Sequence, residues 1–171
     1  MLTIFSSIAQ EEARNISENV KWGFRKRFKE GKVHINTKRF LGYDKDEDGN
    51  IVINEEQAKT VRIIYDMCIS GSSLKEIVVF LTENEIQNGR GEIFWTPATV
   101  SAILTNEKYC GDAILQKRVT IDYLTHKSVK NDEHAPKYYI MNNHEPIVSR
   151  TKFELVQELK KKRGRKRKQS N

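Results

Sequence analysis

Asn54-Glu55-Glu56-Gln57-Ala58-Lys59-Thr60-Val61-Arg62-Ile63-Ile64-Tyr65-Asp66-Met67-Cys68-Ile69-Ser70-Gly71 decides the fold. Asn54 with Gln57 three residues on resembles a capping box, and Ala58, Val61, Ile64, Tyr65 and Cys68 recur at helical spacing until Gly71 stops them. The stretch predicts a helix with one buried stripe, and Cys68 falls in the core. Two further start signals follow. Ser73-Leu74-Lys75-Glu76 is a second capping box, opening a helix through Leu81 that buries Leu74, Ile77, Val78 and Leu81. Thr96-Pro97 supplies an N-cap and a proline at the first helical position, with Val100, Ile103 and Leu104 on one face.

Outward from these helices the signals change. Ile51 to Ile53 reads as a short strand, as do Ala113 to Ile121 and Lys137 to Met141, the last two separated by a polar hairpin loop from Asp122 to Pro136. Ser149 caps a last helix carrying Phe153, Val156 and Leu159, which runs into a basic tail. At the other end, Ile4, Ile8, Ile16, Val20, Phe24 and Phe28 lie on a four-residue grid free of proline. They predict one long helix, whose stripe rotates by about 240° over its length, so no single flat partner covers it. The expected class is α+β: a long N-terminal helix, then a small mixed domain of about four helices with a short β-sheet or hairpin, helix-turn-helix-like. The expected segments are a long helix over 1–31, a basic linker over 32–41, a mixed domain over 42–160 and a basic tail over 161–171.

Charge is unevenly placed. The 171 residues carry a net +7, yet Lys21 to Arg39 alone holds +7 and Lys160 to Lys168 holds +8, which leaves the remainder at −8. A mildly acidic body with two strongly basic segments suits a polyanion partner, because each Lys or Arg on a phosphate releases condensed counterions. The longest wholly apolar run is Ile77 to Leu81, far short of the ~20 residues of a membrane span. The start, Met1-Leu2-Thr3-Ile4-Phe5, has no basic leader or apolar core of a secretory signal. Cys68 and Cys110 form no C-x-x-C pair, so a zinc ribbon or a redox motif is not expected within this stretch, and a reducing cytoplasmic compartment is the default.

Asp44 to Glu55 fits the EF-hand loop pattern, with Asp44, Asp46 and Asp48 as oxygen donors, Gly49 at the bend and Glu55 as closer. An EF-hand needs a helix leading into the loop, and Lys38 to Tyr43 is too short and glycine-broken to be one. A hairpin turn rich in Asp and Gly accounts for the same residues. His34, His126, His134 and His144 sit in no nucleophile motif, and no phosphate-cradling glycine loop is present, so neither catalytic residues, metal ligands nor a cofactor are expected. The helix from Thr96 to Thr105 presents Thr96, Thr99 and Ser101, small polar side chains with reach to base edges, on the side away from Ile103. Two packed core helices are the plainer explanation of the same residues. In the tail, Arg163-Gly164-Arg165 has the form of a minor-groove insert, with Lys166 where an AT-hook has proline.

Taken in order, Ile8-Ala9-Gln10-Glu11-Glu12 with Arg14 and Ile16, then Gly42-Tyr43, Gly49, Ala58, Val61, Ile64, Gly71, Ile77, Leu81, Trp95, Val100, Ile103-Leu104, Asn106, Tyr109, Gly111 and His144-Glu145-Pro146-Ile147-Val148 resemble the large serine recombinases. The resemblance covers the end of the catalytic domain's long helix and the following "recombinase" DNA-binding domain. It implies double-stranded attachment-site DNA as partner, with the long helix crossing the minor groove and the next domain reading the adjacent major groove. The candidate DNA-binding residues are Arg14, Lys21, Arg25, Arg27, Lys29, Lys32, Lys38, Arg39, Thr96, Thr99, Ser101, Lys108, Gln116, Lys117, Arg118, Lys161, Lys162, Arg163 and Arg165. The family's serine nucleophile lies upstream of the long helix and its zinc ribbon downstream of the basic tail, so this stretch is expected to be inactive in strand cleavage. Family members assemble as dimers and tetramers, which makes self-association through the N-terminal helix an expectation. A stand-alone DNA-binding regulator and a calcium-dependent interaction module on Asp44 to Glu55 are the alternatives.

Overall fold

Three local caps set the helical frame of this computed structural model, which describes residues 11, 12, 15, 19, 22, 23, 26, 36–120, 125, 127–132 and 136–169. Helix α1 (Glu55–Ile69) starts where the Asn54 side chain accepts from the Gln57 N–H. Helix α2 (Leu74–Glu83) starts on a reciprocal box, Ser73 Oγ accepting from Glu76 N–H and the Glu76 carboxylate accepting from Ser73 N–H. Helix α3 (Pro97–Thr105) starts on Thr96, whose hydroxyl accepts from Thr99 N–H. Each side-chain acceptor satisfies one of the orphan donors at a helix start.

The described residues fall into two compact units, 35–112 with 141–171 and 1–34 with 113–140. In the first, the expected stripe is the core: Ala58, Val61, Ile64, Tyr65 and Cys68 are fully buried, together with Ile77 and Leu81 of α2, Val100 and Leu104 of α3, and Val156 of helix α4 (Arg150–Gln169). Strands β1 (Tyr43–Lys45) and β2 (Ile51–Ile53) form an antiparallel hairpin with Tyr43 opposite Ile53. Tyr43 and Tyr109 pack with Phe40 and Tyr65 in an aromatic cluster.

A strap from His144 to Val148 crosses this cluster. Tyr43 hydroxyl donates to Glu145 O at 2.8 Å and accepts from Ile147 N–H, while Ile147 and Val148 N–H both donate to Tyr109 O. His144 Nε2 lies 2.6 Å from Lys108 O, which makes it the protonated nitrogen, and Gly111 is required beneath because a Cβ there would sit 2.7 Å from His144 O. The His-Glu-Pro-Ile-Val run is therefore a structural strap.

One expectation is corrected. The predicted strand from Ala113 to Ile121 breaks in the middle: β3 (Ala113–Leu115) pairs with β6 (Tyr138–Ile140), whereas β4 (Arg118–Thr120) pairs with β5 (Ser128–Lys130), which lies inside the predicted loop. The break is Gln116, held at φ 61 with its carbonyl accepting from Asn131 Nδ2. The last helix, expected to run into the basic tail, extends through it as far as Gln169. Side-chain donors along one face of α4 bond the ends of α1 and α3, and Lys and Arg are themselves good helix formers.

The N-terminal helix predicted over 1–31 lies almost wholly outside the described residues; Glu11, Glu12, Asn15, Asn19, Trp22, Gly23 and Lys26 are described and helical, with Lys26 Nζ 5.6 Å from the Trp22 ring centre. No helix among the described residues is long and apolar enough to cross a membrane.

Candidate nucleic-acid interface

Helix α3 is covered on one side only. Val100, Ile103 and Leu104 are buried, whereas Pro97, Ala98, Thr99, Ala102 and Thr105 are exposed, so its N-terminal half offers solvent a face without charge. Thr96 and Thr99 hydroxyls lie 2.9 Å apart on this end, where the cap leaves Thr99 outward. Ser101 is placed differently from the expectation. It is half-buried, its hydroxyl and carbonyl accept from Lys160 Nζ at 2.9 and 3.1 Å, and it faces α4 and not the open side.

The loop leading into α3 is organised by Asn88. Its Oδ1 accepts from Arg90 and Glu92 N–H and its Nδ2 donates to Phe94 O at 2.8 Å, while Trp95 Nε1 donates to Ile86 O at 2.7 Å. This holds Phe94, 66% exposed, beside the cap of α3. Gly89 brings the loop onto the linker, since a Cβ there would lie 2.9 Å from Arg39 O. The exposed Lys38 and Arg39 thus sit on the segment against which the α2–α3 connection packs.

Three polar side chains of α4 bond neighbouring elements: Gln157 Nε2 donates to Leu104 O at 2.7 Å, Lys160 to Ser101, and the exposed Arg163 guanidinium to the carbonyls of Ser72 and Gly71 at 2.9 Å. Helix α1 has no cation in its own last turn, and Arg163 supplies one to the negative end of its dipole. Burial lowers the pKa of Lys160. Lys161 and Lys162 are exposed. Gly164 lies within the helix, so the Arg163-Gly164-Arg165 insert has helical backbone.

Lys108 is half-buried and paired with Glu107 at 3.1 Å. Lys117 and Arg118 are exposed on the second unit, and Gln116 there has a buried Oε1 with no partner among the described residues. Arg14, Lys21, Arg25, Arg27, Lys29 and Lys32 lie outside the described residues, as does the Arg165 side chain.

The acidic turn disperses its carboxylates. Asp44 accepts from Asn54 Nδ2, Asp46 from Asn50 N–H and Nδ2, and Glu55 pairs with Arg62 at 2.9 Å. Among the described residues no three His, Cys, Asp or Glu side chains gather as a metal site.

The described residues thus comprise three capped helices, a fourth that bonds the ends of α1 and α3, and three antiparallel strand pairs. Residues 55–163, more than half of the chain, match the Recombinase family model, and the chain belongs to that family, the family of the large serine recombinases. One similar structure is a complex of a large serine recombinase with DNA: 27% identity, TM-score 0.55, covering 85% of this chain and 40% of that one. A second comes from work on the sequence requirements of the Listeria innocua prophage attP site: 28% identity, TM-score 0.53, covering 82% of this chain and 50% of that one. The chain therefore spans half or less of the length of these two relatives.

Proposed function

We propose that the chain binds duplex DNA in a sequence-dependent way, as the attachment-site-recognising part of a large serine recombinase that carries out DNA integration or excision. The observation that carries this reading is the exposed, uncharged N-terminal face of α3, with Thr99 outward and Phe94 held beside it, next to a linker bearing exposed Lys38 and Arg39. Helices α2 and α3 pack together as a helix-turn-helix relative, with a longer connection than the standard motif. Thr96 caps α3, Thr99 reaches base edges, and Phe94 suits a thymine methyl.

Lys38, Arg39, Lys108, Lys161 and Lys162 neutralise phosphate, as do Arg14, Lys21, Arg25, Arg27, Lys29, Lys32 and Arg165. Ser101 and Arg163, bonded within the fold, position α4 for them. The segments 1–31, 32–41, 42–160 and 161–171 serve as catalytic-domain helix, linker, recognition domain and lead to a further domain. Self-association runs through the N-terminal helix, and the protein works where the chromosome is, in the cytoplasm.

Selection from a randomised duplex pool tests this. The expected outcome is a recovered consensus bound with a steep salt dependence, log Kd changing by about 0.9 per neutralised phosphate per decade of salt. Recovery of no consensus, or binding indifferent to salt, would contradict it.

A further inference from the structure

The β4–β5 ribbon carries a charge arrangement that its own folding disfavours. Its register sets Arg118 opposite Lys130, Val119 opposite Val129 and Thr120 opposite Ser128. Successive side chains alternate between faces, so Arg118, Thr120, Ser128 and Lys130 share one face, all exposed, while Val119 and Val129 are half-buried on the other. Like charges directly across an antiparallel pair are destabilising.

The rest of the ribbon is built to hold that face in place. The Arg118 guanidinium lies along the partner strand, donating to Ser128 O at 2.7 Å and Oγ at 3.2 Å. Asn131, fully buried, locks the base: its N–H donates to Lys117 O and its Nδ2 to Gln116 O, both at 2.9 Å. Exposed Lys117 and Lys127 precede the two strands, and exposed Lys137 follows. Lys130 pairs with Asp132 at 3.1 Å, in a pair exposed on both sides and hence weak.

We propose that this ribbon is a second phosphate-binding element, its Arg118, Thr120, Ser128 and Lys130 face lying on a DNA backbone and neutralising it without reading sequence. A phosphate relieves the repulsion that Arg118 and Lys130 impose on each other, and Thr120 and Ser128 hydroxyls donate to phosphate oxygens. The inference rests on the DNA-binding reading above and adds an element whose contribution is independent of α3.

The test compares the intact chain with its Arg118→Gln/Lys130→Gln variant, and with a charge-conserving Arg118→Lys/Lys130→Arg variant, in thermal melts and in duplex binding over a range of salt. The expected result for the neutral variant is a melting temperature equal to or above that of the parent. Its binding should be weaker to the same degree on selected and scrambled duplexes, with the salt slope flatter by about two units. The charge-conserving variant should bind like the parent.

Unchanged binding in the neutral variant overturns the inference, as does a fall in melting temperature in both variants, which would make Arg118 a strand fastener. Equal competition by polyglutamate and by duplex of the same charge would assign the face to an acidic polypeptide instead. If the parent binds no duplex at all, the DNA-binding reading fails and this inference with it. If only the variants' behaviour departs, that reading stands and the ribbon alone is refuted.

Discussion

Lys160 reaches across from α4 to donate to both the hydroxyl and the carbonyl of Ser101 in α3, at 2.9 and 3.1 Å. One turn further on, Arg163 does the same service for the end of α1, bonding Ser72 and Gly71 carbonyls. These contacts convert the first turns of a basic segment from solvated charge into structure. Replacing Arg163 with Ala should lower stability by about 1 kcal/mol, the net worth of a few partly exposed charged hydrogen bonds, and Arg163→Lys should recover part of it. Chemical denaturation of the three proteins measures this; equal midpoints would show that the capping contributes nothing.

Thr96 and Thr99 sit on one helix end with different tasks. Thr96→Ala removes the acceptor for Thr99 N–H and should cost about 1 kcal/mol of stability. Thr99→Ala removes an exposed side chain, so its melting temperature should stay close to that of the parent. Paired thermal melts with circular dichroism check both.

Alkaline pH should unfold the protein through its tyrosines. Burial raises the pKa of Tyr43, Tyr65 and Tyr109, with Coulombic interaction with Tyr109 adding at Tyr65. For an acid whose folded pKa is raised, the folded state binds more protons than the unfolded one. Its stabilisation is complete below the unfolded value of about 10 and is lost as pH rises beyond it. The expected record is a cooperative loss of helix signal above about pH 10, coincident with tyrosinate absorbance. Tyrosinate forming non-cooperatively, with helix retained, would contradict the burial.

Acid should act through His144. Burial lowers its pKa, partly offset by the bond to Lys108 O, so the unfolded state takes the proton first as pH falls. Stability should then decline below about 6.5, the unfolded value, and His144→Gln, which retains a donor for Lys108 O, should flatten that decline. Midpoints of urea unfolding across this window give the comparison.

The acidic turn should take up no calcium below millimolar concentration, because Asp44, Asp46 and Glu55 each hold a separate partner. Isothermal titration revealing a micromolar site abolished by Glu55→Gln would refute this.

Much of the frame was legible because its signals are local. Asn54, Ser73 and Thr96-Pro97 each announce a helix within four residues, and the buried stripe from Ala58 to Cys68 follows directly from spacing. The parts that were not legible depend on distant partners. Arg163 reads as tail charge because its acceptors lie 91 and 92 positions away, and which side of α3 Ser101 occupies is decided by Lys160, 59 positions on. Strand β5 hides in a polar stretch, and nothing in a lone Gln116 signals a positive φ that splits β3 from β4. The cap of α3 was thus readable, while the division of its polar residues and those of α4 into outward and inward ones required the packing of α4.

The account turns on α3 reading bases, and one comparison tests that most directly: equilibrium affinity for the selected duplex against a scrambled one, at a single salt concentration, for the parent chain and Thr99→Ala. The parent should prefer the selected duplex by about tenfold or more, the worth of at least one base contact of roughly 1 to 3 kcal/mol. Thr99→Ala should lose most of that preference while binding scrambled DNA as before. A parent without preference, or a variant that weakens both duplexes equally, would make α3 a structural helix and contradict the central claim.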